Sequence, residues 1–130
     1  MKYKVNLSFS AEEDLFEIYQ YVFFNDSVEN AEKLYSKLHE KCIALQEYPY
    51  RGHIPSELSL LGIDDFLEIT YKPYRIIYQI IEKVVFIHCI LDGRRDKKNI
   101  TRTSHERIEH RLITSKSTRP RGQAGFVAVL

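Results

Sequence analysis

The stretch that decides the fold is residues 73–78, Pro-Tyr-Arg-Ile-Ile-Tyr, followed along the chain by residues 91–96, Leu-Asp-Gly-Arg-Arg-Asp. The first has the apolar, β-branched pattern of a strand with Arg75 embedded in it, and the second ends an apolar run at a turn. Burying a guanidinium in a strand is costly unless an anion pairs with it. We therefore predict that Arg75 converges with Arg94 and Arg95 as a cationic site for phosphate or for a target.

The pattern around this stretch predicts three strands, over residues 66–71, 74–81 and 84–91. Only Glu82 and Lys83 separate the last two, which should therefore pair as an antiparallel hairpin. In the last strand, alternation predicts one apolar face directed toward the helices, formed by Val85, Ile87, Cys89 and Leu91. In the preceding strand, Arg75 and Gln79 take the face opposite Tyr78.

The first half of the chain predicts a strand followed by two helices. Residues 3–9 alternate between apolar and polar side chains, which indicates a half-buried strand. Ser10 followed by Glu13 is a capping-box pattern that opens a helix. Residues 25–27, Asn-Asp-Ser, break this helix and cap the second, which must end before Pro49. Two helices joined by a short loop should form an antiparallel hairpin packed on the sheet.

Three further segments complete the prediction. Residues 48–65 are rich in Pro and Gly and are predicted to be one long loop. Residues 106–113 indicate a short C-terminal helix, and residues 1–113 are predicted to form a single domain. Residues 114–130 are predicted to be a basic, flexible tail.

The charges of the chain are segregated although their sum is only +1. Residues 1–93 carry nine Lys/Arg against fifteen Asp/Glu, a net of −6, and residues 94–130 carry ten against three, a net of +7. This asymmetry indicates a basic C-terminal part that meets phosphate or an acidic partner. A solvated basic tail beyond residue 114 is the alternative interpretation.

The sequence gives no indication of a metal, a cofactor or a membrane. Cys42 and Cys89 fall within apolar faces, as expected for buried thiols of a reduced cytoplasmic protein. His105 and His110 are five apart, which is the wrong spacing for two ligands on one helical face. The N-terminus alternates rather than forming the apolar core of a signal peptide. We therefore expect a cytoplasmic protein that binds no metal, no cofactor and no membrane.

Three motifs in order resemble those of the RelE/ParE superfamily, the toxins of type II toxin–antitoxin modules. They are Tyr48-Pro49 with Arg51-Gly52, residues 73–78, and residues 91–96, and the resemblance covers about residues 3–100. It implies the α+β RelE-like toxin fold, in which an N-terminal strand and an antiparallel helix hairpin pack on an antiparallel sheet. The implied order is β-α-α-β-β-β with a short C-terminal helix.

The superfamily implies two activities. RelE-like members cut messenger RNA on the ribosome, and ParE-like members are associated with DNA gyrase inhibition and plasmid stabilisation. Residues 66–70 lack the alternating lysines of the nuclease group, Thr101 stands near the position expected for its tyrosine, and no tyrosine follows Tyr78. We therefore favour a ParE-like toxin that inhibits growth. A ribosome-dependent endoribonuclease and a non-toxic binding module that keeps the fold are the alternatives.

The nuclease interpretation would draw its catalytic groups from Arg75, Arg95, His88 and Lys72. Cleavage by a 2′-hydroxyl needs a base, an acid and cations for the developing charge. Three of the candidates also have a structural interpretation, whereas Arg95 is the one most readily interpreted as functional. His88 would be a packed strand residue and Lys72 a solvated turn residue. Arg75 could likewise pair with Glu68 or Asp92 to hold the sheet together.

The resemblance also implies a cognate antitoxin, a small acidic protein that forms a hetero-oligomer with the toxin. The target would be DNA gyrase, or the ribosome with its messenger RNA. The expected antitoxin-binding residues are Leu15, Tyr19, Arg94, Arg95, Arg107 and Arg111.

Overall fold

A computed structural model of the chain describes residues 2–93 and the backbone of residues 126–128. The elements in chain order are β1 (Lys4–Ser8), α1 (Phe9–Asn25), α2 (Val28–Ile43), a 3-10 turn (Ala44–Gln46), α3 (Ser56–Leu60), β2 (Leu67–Tyr71), β3 (Tyr74–Ile81), β4 (Val84–Asp92) and β5 (Phe126–Ala128). Among these described residues, no helix has the length and apolar character needed to cross a bilayer.

The strand, helix, helix and three-strand order is as predicted, and the sheet has the strand order β2-β3-β4-β1-β5. Both β2–β3 and β3–β4 are antiparallel pairs. The first strand differs from a purely antiparallel arrangement, since β1 runs parallel to β4 with Val5 opposite Val85. The helical hairpin returns the chain to the far edge of the sheet, and two antiparallel turns then bring β4 alongside β1.

The strand β5 lies within the segment that was predicted to be a flexible tail. It pairs antiparallel with β1, placing Val127 opposite Leu7. At residues 126–128 the structure therefore has a strand that extends the sheet, within the segment predicted to be a tail. The predicted helix at 106–113 and the rest of the tail lie outside the described residues.

The first helix begins two residues earlier than its capping-box pattern predicts. Ser8, not Ser10, is the N-cap: its hydroxyl oxygen accepts a hydrogen bond from the amide of Ala11 at 2.9 Å. The same hydroxyl donates to the carbonyl of His88 at 3.0 Å, which ties the start of α1 to β4. The cap of α2 is Ser27, in the predicted break.

The core lies on both faces of the sheet. The larger cluster packs the helices against one face, and its fully buried members include Leu38, Leu45, Ile76, Tyr78 and Ile87. The smaller cluster lies on the other face and consists of Leu58, Phe66, Ile77 and Cys89. Leu58 belongs to α3, within the segment predicted to be loop. This short helix therefore forms because its leucine covers the second face of the sheet.

A β-bulge in β4 reverses the predicted alternation along that strand. Ile77 is paired with Cys89 but Tyr78 with Ile87, so His88 is an extra residue. Cys89 consequently joins the smaller cluster and Leu91 packs against it, whereas Ile90 joins the larger one. The prediction that Cys89 and Leu91 face the helices is therefore wrong.

We expect substitution of Asp14 by alanine to destabilise the fold, because this side chain supports the strand just beyond the bulge. An Asp14 carboxylate oxygen accepts a hydrogen bond from the amide of Ile90 at 3.0 Å. Removing it leaves a buried donor unsatisfied, at a cost of about 1–3 kcal/mol in the free energy of unfolding. Urea titration followed by circular dichroism measures this, with Asp14→Asn retaining an acceptor and the exposed Glu13→Ala as control. Equal stability of the Asp14→Ala and Glu13→Ala proteins would contradict the assignment.

Candidate functional site

The guanidinium of Arg75 is held between two carboxylates. Its Nη1 and Nη2 atoms donate to the two oxygens of Glu57 at 2.7 and 2.8 Å, a bidentate pair. Its Nε donates to Oε1 of Glu68 at 3.0 Å, and its Nη2 also donates to that oxygen. The arginine thus joins α3 to β2 through β3, and all three of its nitrogens are engaged.

The electrostatics of this cluster favour a permanently charged arginine inside a net negative site. Burial alone would lower the pKa of Arg75, but hydrogen bonds to Glu57 and Glu68 raise it above its ordinary value. His53 adds a further partner, with its Nε2 3.5 Å from Oε2 of Glu68. Two carboxylates surround one guanidinium, so an incoming phosphate would have to displace one of them.

Tyr78, the last residue of the motif at 73–78, anchors the loop that follows α2. Its hydroxyl donates to the carbonyl of Pro49 at 2.8 Å and accepts from the amide of Gly52 at 3.2 Å. Burial raises the pKa of this phenol, although the Gly52 hydrogen bond and the charge of Arg51 act to lower it. The hydroxyl therefore stays neutral and serves as both donor and acceptor.

The motif at residues 91–96 is joined to the motif at residues 73–78 by a hydrogen bond. The amide of Gly93 donates to the carbonyl of Pro73 at 2.8 Å, and a Cβ at Gly93 would lie 2.9 Å from that oxygen. Together with the Tyr78 hydrogen bonds, this contact links all three motifs of the sequence analysis. In the described residues these motifs hold the loop, the sheet and the end of β4 to one another.

The predicted catalytic residues lie in different surroundings. His88 is buried, its Nε2 is 3.1 Å from Oε1 of Gln79, and its ring packs edge-on against Phe66. Lys72 is exposed at the turn between β2 and β3. Arg75 faces Glu57 and Glu68, as described above. The pairing of Arg75 with Glu68 is as the structural interpretation expected, whereas Glu57 was not foreseen because it lies in the segment read as loop.

The arginines expected to converge with Arg75, namely Arg94 and Arg95, lie outside the described residues, as do Arg107 and Arg111. Leu15, predicted to contact the antitoxin, is only 3% exposed and belongs to the larger core cluster. It faces its own sheet because it lies on the buried side of α1, and its expected contact with the antitoxin stays a prediction. Tyr19 lies on the outer side, in contact with Phe23 and Tyr35. Within residues 2–93, no cluster of His, Cys, Asp and Glu side chains is arranged to hold a metal ion.

Comparison with known proteins identifies the family. The profile of the ParE toxin of the type II toxin–antitoxin system parDE matches residues 5–97. The chain belongs to the ParE toxin family. Its sequence is not significantly similar to any curated protein.

Two solved structures share the fold of this ParE family member. One is a chromosomal ParDE toxin–antitoxin system from P. aeruginosa, with a TM-score of 0.58 and 19% identity, covering 68% of this chain and 94% of that one. The other is a mutant of the E. coli toxin RelE in the free state, with a TM-score of 0.51 and 17% identity, covering 75% and 90%. At these identities the likeness extends to the α+β fold and its helical hairpin.

Proposed function

We propose that this ParE family protein is a cytoplasmic toxin that inhibits growth by binding DNA gyrase and is neutralised by a cognate antitoxin. The observation that carries the choice of gyrase over messenger RNA is the pairing of Arg75 with Glu57 and Glu68. Arg75 is the one arginine in the described strands, and two carboxylates already neutralise its charge. Because the charge of Arg75 is already paired, this part of the sheet suits contact with a protein better than binding of a polyanion such as RNA.

The chemistry of RNA cleavage supports the same choice. A nuclease needs a base and an acid near the scissile phosphate, together with cations that are free to meet the developing charge. His88 is buried among Gln79 and Phe66 rather than presented in a cleft. Lys72 is a solvated turn residue. Of the candidates that residues 2–93 contain, His88 is packed and Arg75 is paired, so Lys72 is the one left exposed, and this supports the non-nuclease choice.

A cognate antitoxin is part of the proposal because the family description and the P. aeruginosa structure both name a two-component ParDE system. Residues 94–130 carry a net charge of +7. An acidic antitoxin segment that folds on binding would complement this charge and accelerate association. Toxin and antitoxin then form a hetero-oligomer in which this basic region is covered.

Expression of the chain in bacterial cells, with and without the antitoxin, tests the target. We expect growth arrest with filamentation, induction of the DNA-damage response and intact messenger RNA. In a purified supercoiling assay, the protein should inhibit gyrase, and addition of the antitoxin should relieve that inhibition. Ribosome-dependent cleavage of messages with unimpaired gyrase would replace this proposal by the endoribonuclease alternative. Normal growth at confirmed protein levels would favour a non-toxic binding module.

A further inference from the structure

The outer face of the α1–α2 hairpin exposes a row of aromatic side chains. Phe16 is 56% exposed and Phe24 is 76% exposed. Ring contacts join Phe24 to Phe23 at 5.0 Å between centroids, Phe23 to Tyr19 at 5.9 Å, and Tyr19 to Tyr35 at 5.9 Å. The row therefore crosses from α1 to α2. We call Phe16, Tyr19, Phe23, Phe24 and Tyr35 the aromatic strip.

The aromatic strip is a second apolar face of α1. The first face, which includes Ala11 and Leu15, is buried against the sheet. Phe9, Phe16 and Phe23 recur every seven residues, two helical turns apart, and so follow one line on the other side. Since a large aromatic side chain has a surface of about 200 Å², the exposed part of the strip is on the order of 400 Å². Patches of this size on a single chain often mark a binding site.

Carboxylates border the aromatic strip. Glu13 lies three residues before Phe16 on α1, and Glu32 lies three residues before Tyr35 on α2, so each is a neighbour of a strip residue on its own helix. Both glutamates are exposed. The sequence of α1 contains four acidic residues and neither Lys nor Arg.

The cations of α2 lie away from the aromatic strip. Lys33 and Lys37 line the groove beside Tyr71 and Tyr74, and Glu32 also reaches this groove. Lys41 is placed over the ring of Tyr71, 6.0 Å from its centroid. The border of the aromatic strip is thus acidic along α1, and on α2 it includes Glu32 and also His39, whose ring stacks on Tyr35 at 6.3 Å between centroids.

We propose that the aromatic strip binds an amphipathic helix of a partner protein that carries Lys or Arg beside its apolar residues. On α1 the strip runs about 12 Å from Phe16 to Phe24 at 1.5 Å per residue, and the exposed Phe9 extends the same line to about 21 Å, the length of a helix of about four turns. Basic side chains on such a helix would meet Glu13 and Glu32, and could also stack on the exposed rings. This proposal goes beyond the toxin function proposed above: it assigns Tyr19 to a basic helix, whereas the sequence predicted Tyr19 to contact the acidic antitoxin.

A second copy of the chain fits the aromatic strip less well. A twofold interface would place the same surface on both sides, so the acidic residues of one α1 would face those of the other. Like charges at an interface oppose association. A basic helix removes this repulsion and covers the same apolar area.

A binding experiment on the full chain tests the proposal, using a helical peptide of Leu, Ala and Lys with a single Trp, and a matched peptide with Glu in place of every Lys. Because the chain contains no tryptophan, the fluorescence of the peptide reports binding without background. We expect the Lys peptide to bind at the aromatic strip, and any binding of the Glu peptide to the basic residues 94–130 to be independent of the strip. The double variant Phe16→Ser/Phe24→Ser should lose at least tenfold in affinity for the Lys peptide. Glu13→Gln/Glu32→Gln should lower that affinity and flatten its salt dependence.

The matched control is Leu60→Ser on α3, since Leu60 is 86% exposed and lies outside the aromatic strip. This variant should bind the Lys peptide within twofold of the original chain. Circular dichroism establishes that each variant is folded before it is compared. An unchanged affinity for the Lys peptide in Phe16→Ser/Phe24→Ser would overturn the proposal, as would an equal loss of affinity for the Glu peptide in that variant. So would a homodimer in sedimentation that Phe16→Ser/Phe24→Ser converts to monomer, because the occupant would then be a second copy.

Discussion

Substitution of Arg75 by methionine should lower the free energy of unfolding by about 3 kcal/mol, because it leaves two buried carboxylates without their partner. Arg75 is 17% exposed at its side chain, and Glu57 and Glu68 are 13% and 6% exposed. The apolar stem of methionine fills similar space, so the loss reports the missing charge. Urea titration followed by far-ultraviolet circular dichroism measures it.

Two further variants test whether the loss comes from the unpaired carboxylates. Arg51→Met alters an exposed arginine and should leave stability within about 0.5 kcal/mol of the original chain. The triple variant Glu57→Gln/Glu68→Gln/Arg75→Met removes the whole cluster and should recover a large part of the loss. If growth inhibition disappears in Arg75→Met but returns in the triple variant, Arg75 acts through the fold. Stability of Arg75→Met equal to that of Arg51→Met would show that the ion pairs contribute nothing.

Substitution of Gly52 by alanine should cost about 2–4 kcal/mol, the sum expected from overpacking and one lost hydrogen bond. A Cβ at this position would lie 2.6 Å from the carbonyl oxygen of Glu68 and 2.6 Å from the hydroxyl of Tyr78. Neither atom is free to move: the Glu68 oxygen accepts from the amide of His53 at 3.1 Å, and the hydroxyl is bonded to Pro49. Thermal and urea unfolding measure the loss.

A double-mutant cycle identifies which contact is responsible for the Gly52→Ala effect. Tyr78→Phe removes the hydroxyl but leaves the Glu68 oxygen in place. The double variant should therefore be more stable than the two single losses predict, by more than about 0.5 kcal/mol, the error of simple additivity. Arg51→Ala is the neighbouring control. A Gly52→Ala protein as stable as the Arg51→Ala protein would mean that the loop is not held where the Tyr78 hydrogen bonds place it.

The parts of the fold that local patterns encode were predictable from the sequence. Alternation and the period of the helix identified β1, both helices and the three later strands, and the break before Val28 follows from residues with capping side chains. The parallel pairing of β1 with β4 was not predictable, because no local feature specifies which distant strand lies beside it. The position of the first cap was missed by two residues because Ser8 and Ser10 both precede suitable helical sequence.

The site was predictable only in part, for similar reasons. An arginine within a strand indicates that an anion is near, and Glu68 on the adjacent strand was foreseen as a partner. Glu57 was not foreseen, because its segment is rich in turn residues. The helix α3 is stabilised there by the packing of Leu58 on the second face of the sheet, which the local sequence does not reveal. The bulge at His88 has no sequence signal of its own, so the faces of Cys89 and Leu91 were assigned one residue out of phase.

The hydrogen bonds that join the three motifs affect how such toxins are recognised in genomes. The Tyr78 hydroxyl bonds to the backbone of Pro49 and Gly52, and the Gly93 amide bonds to the backbone of Pro73, so these contacts support the fold whether or not the protein reaches a target. A descendant that had lost its toxicity would still need them to stay folded. A search based on these motifs therefore finds the scaffold, and active members must be distinguished from inactive ones by residues elsewhere.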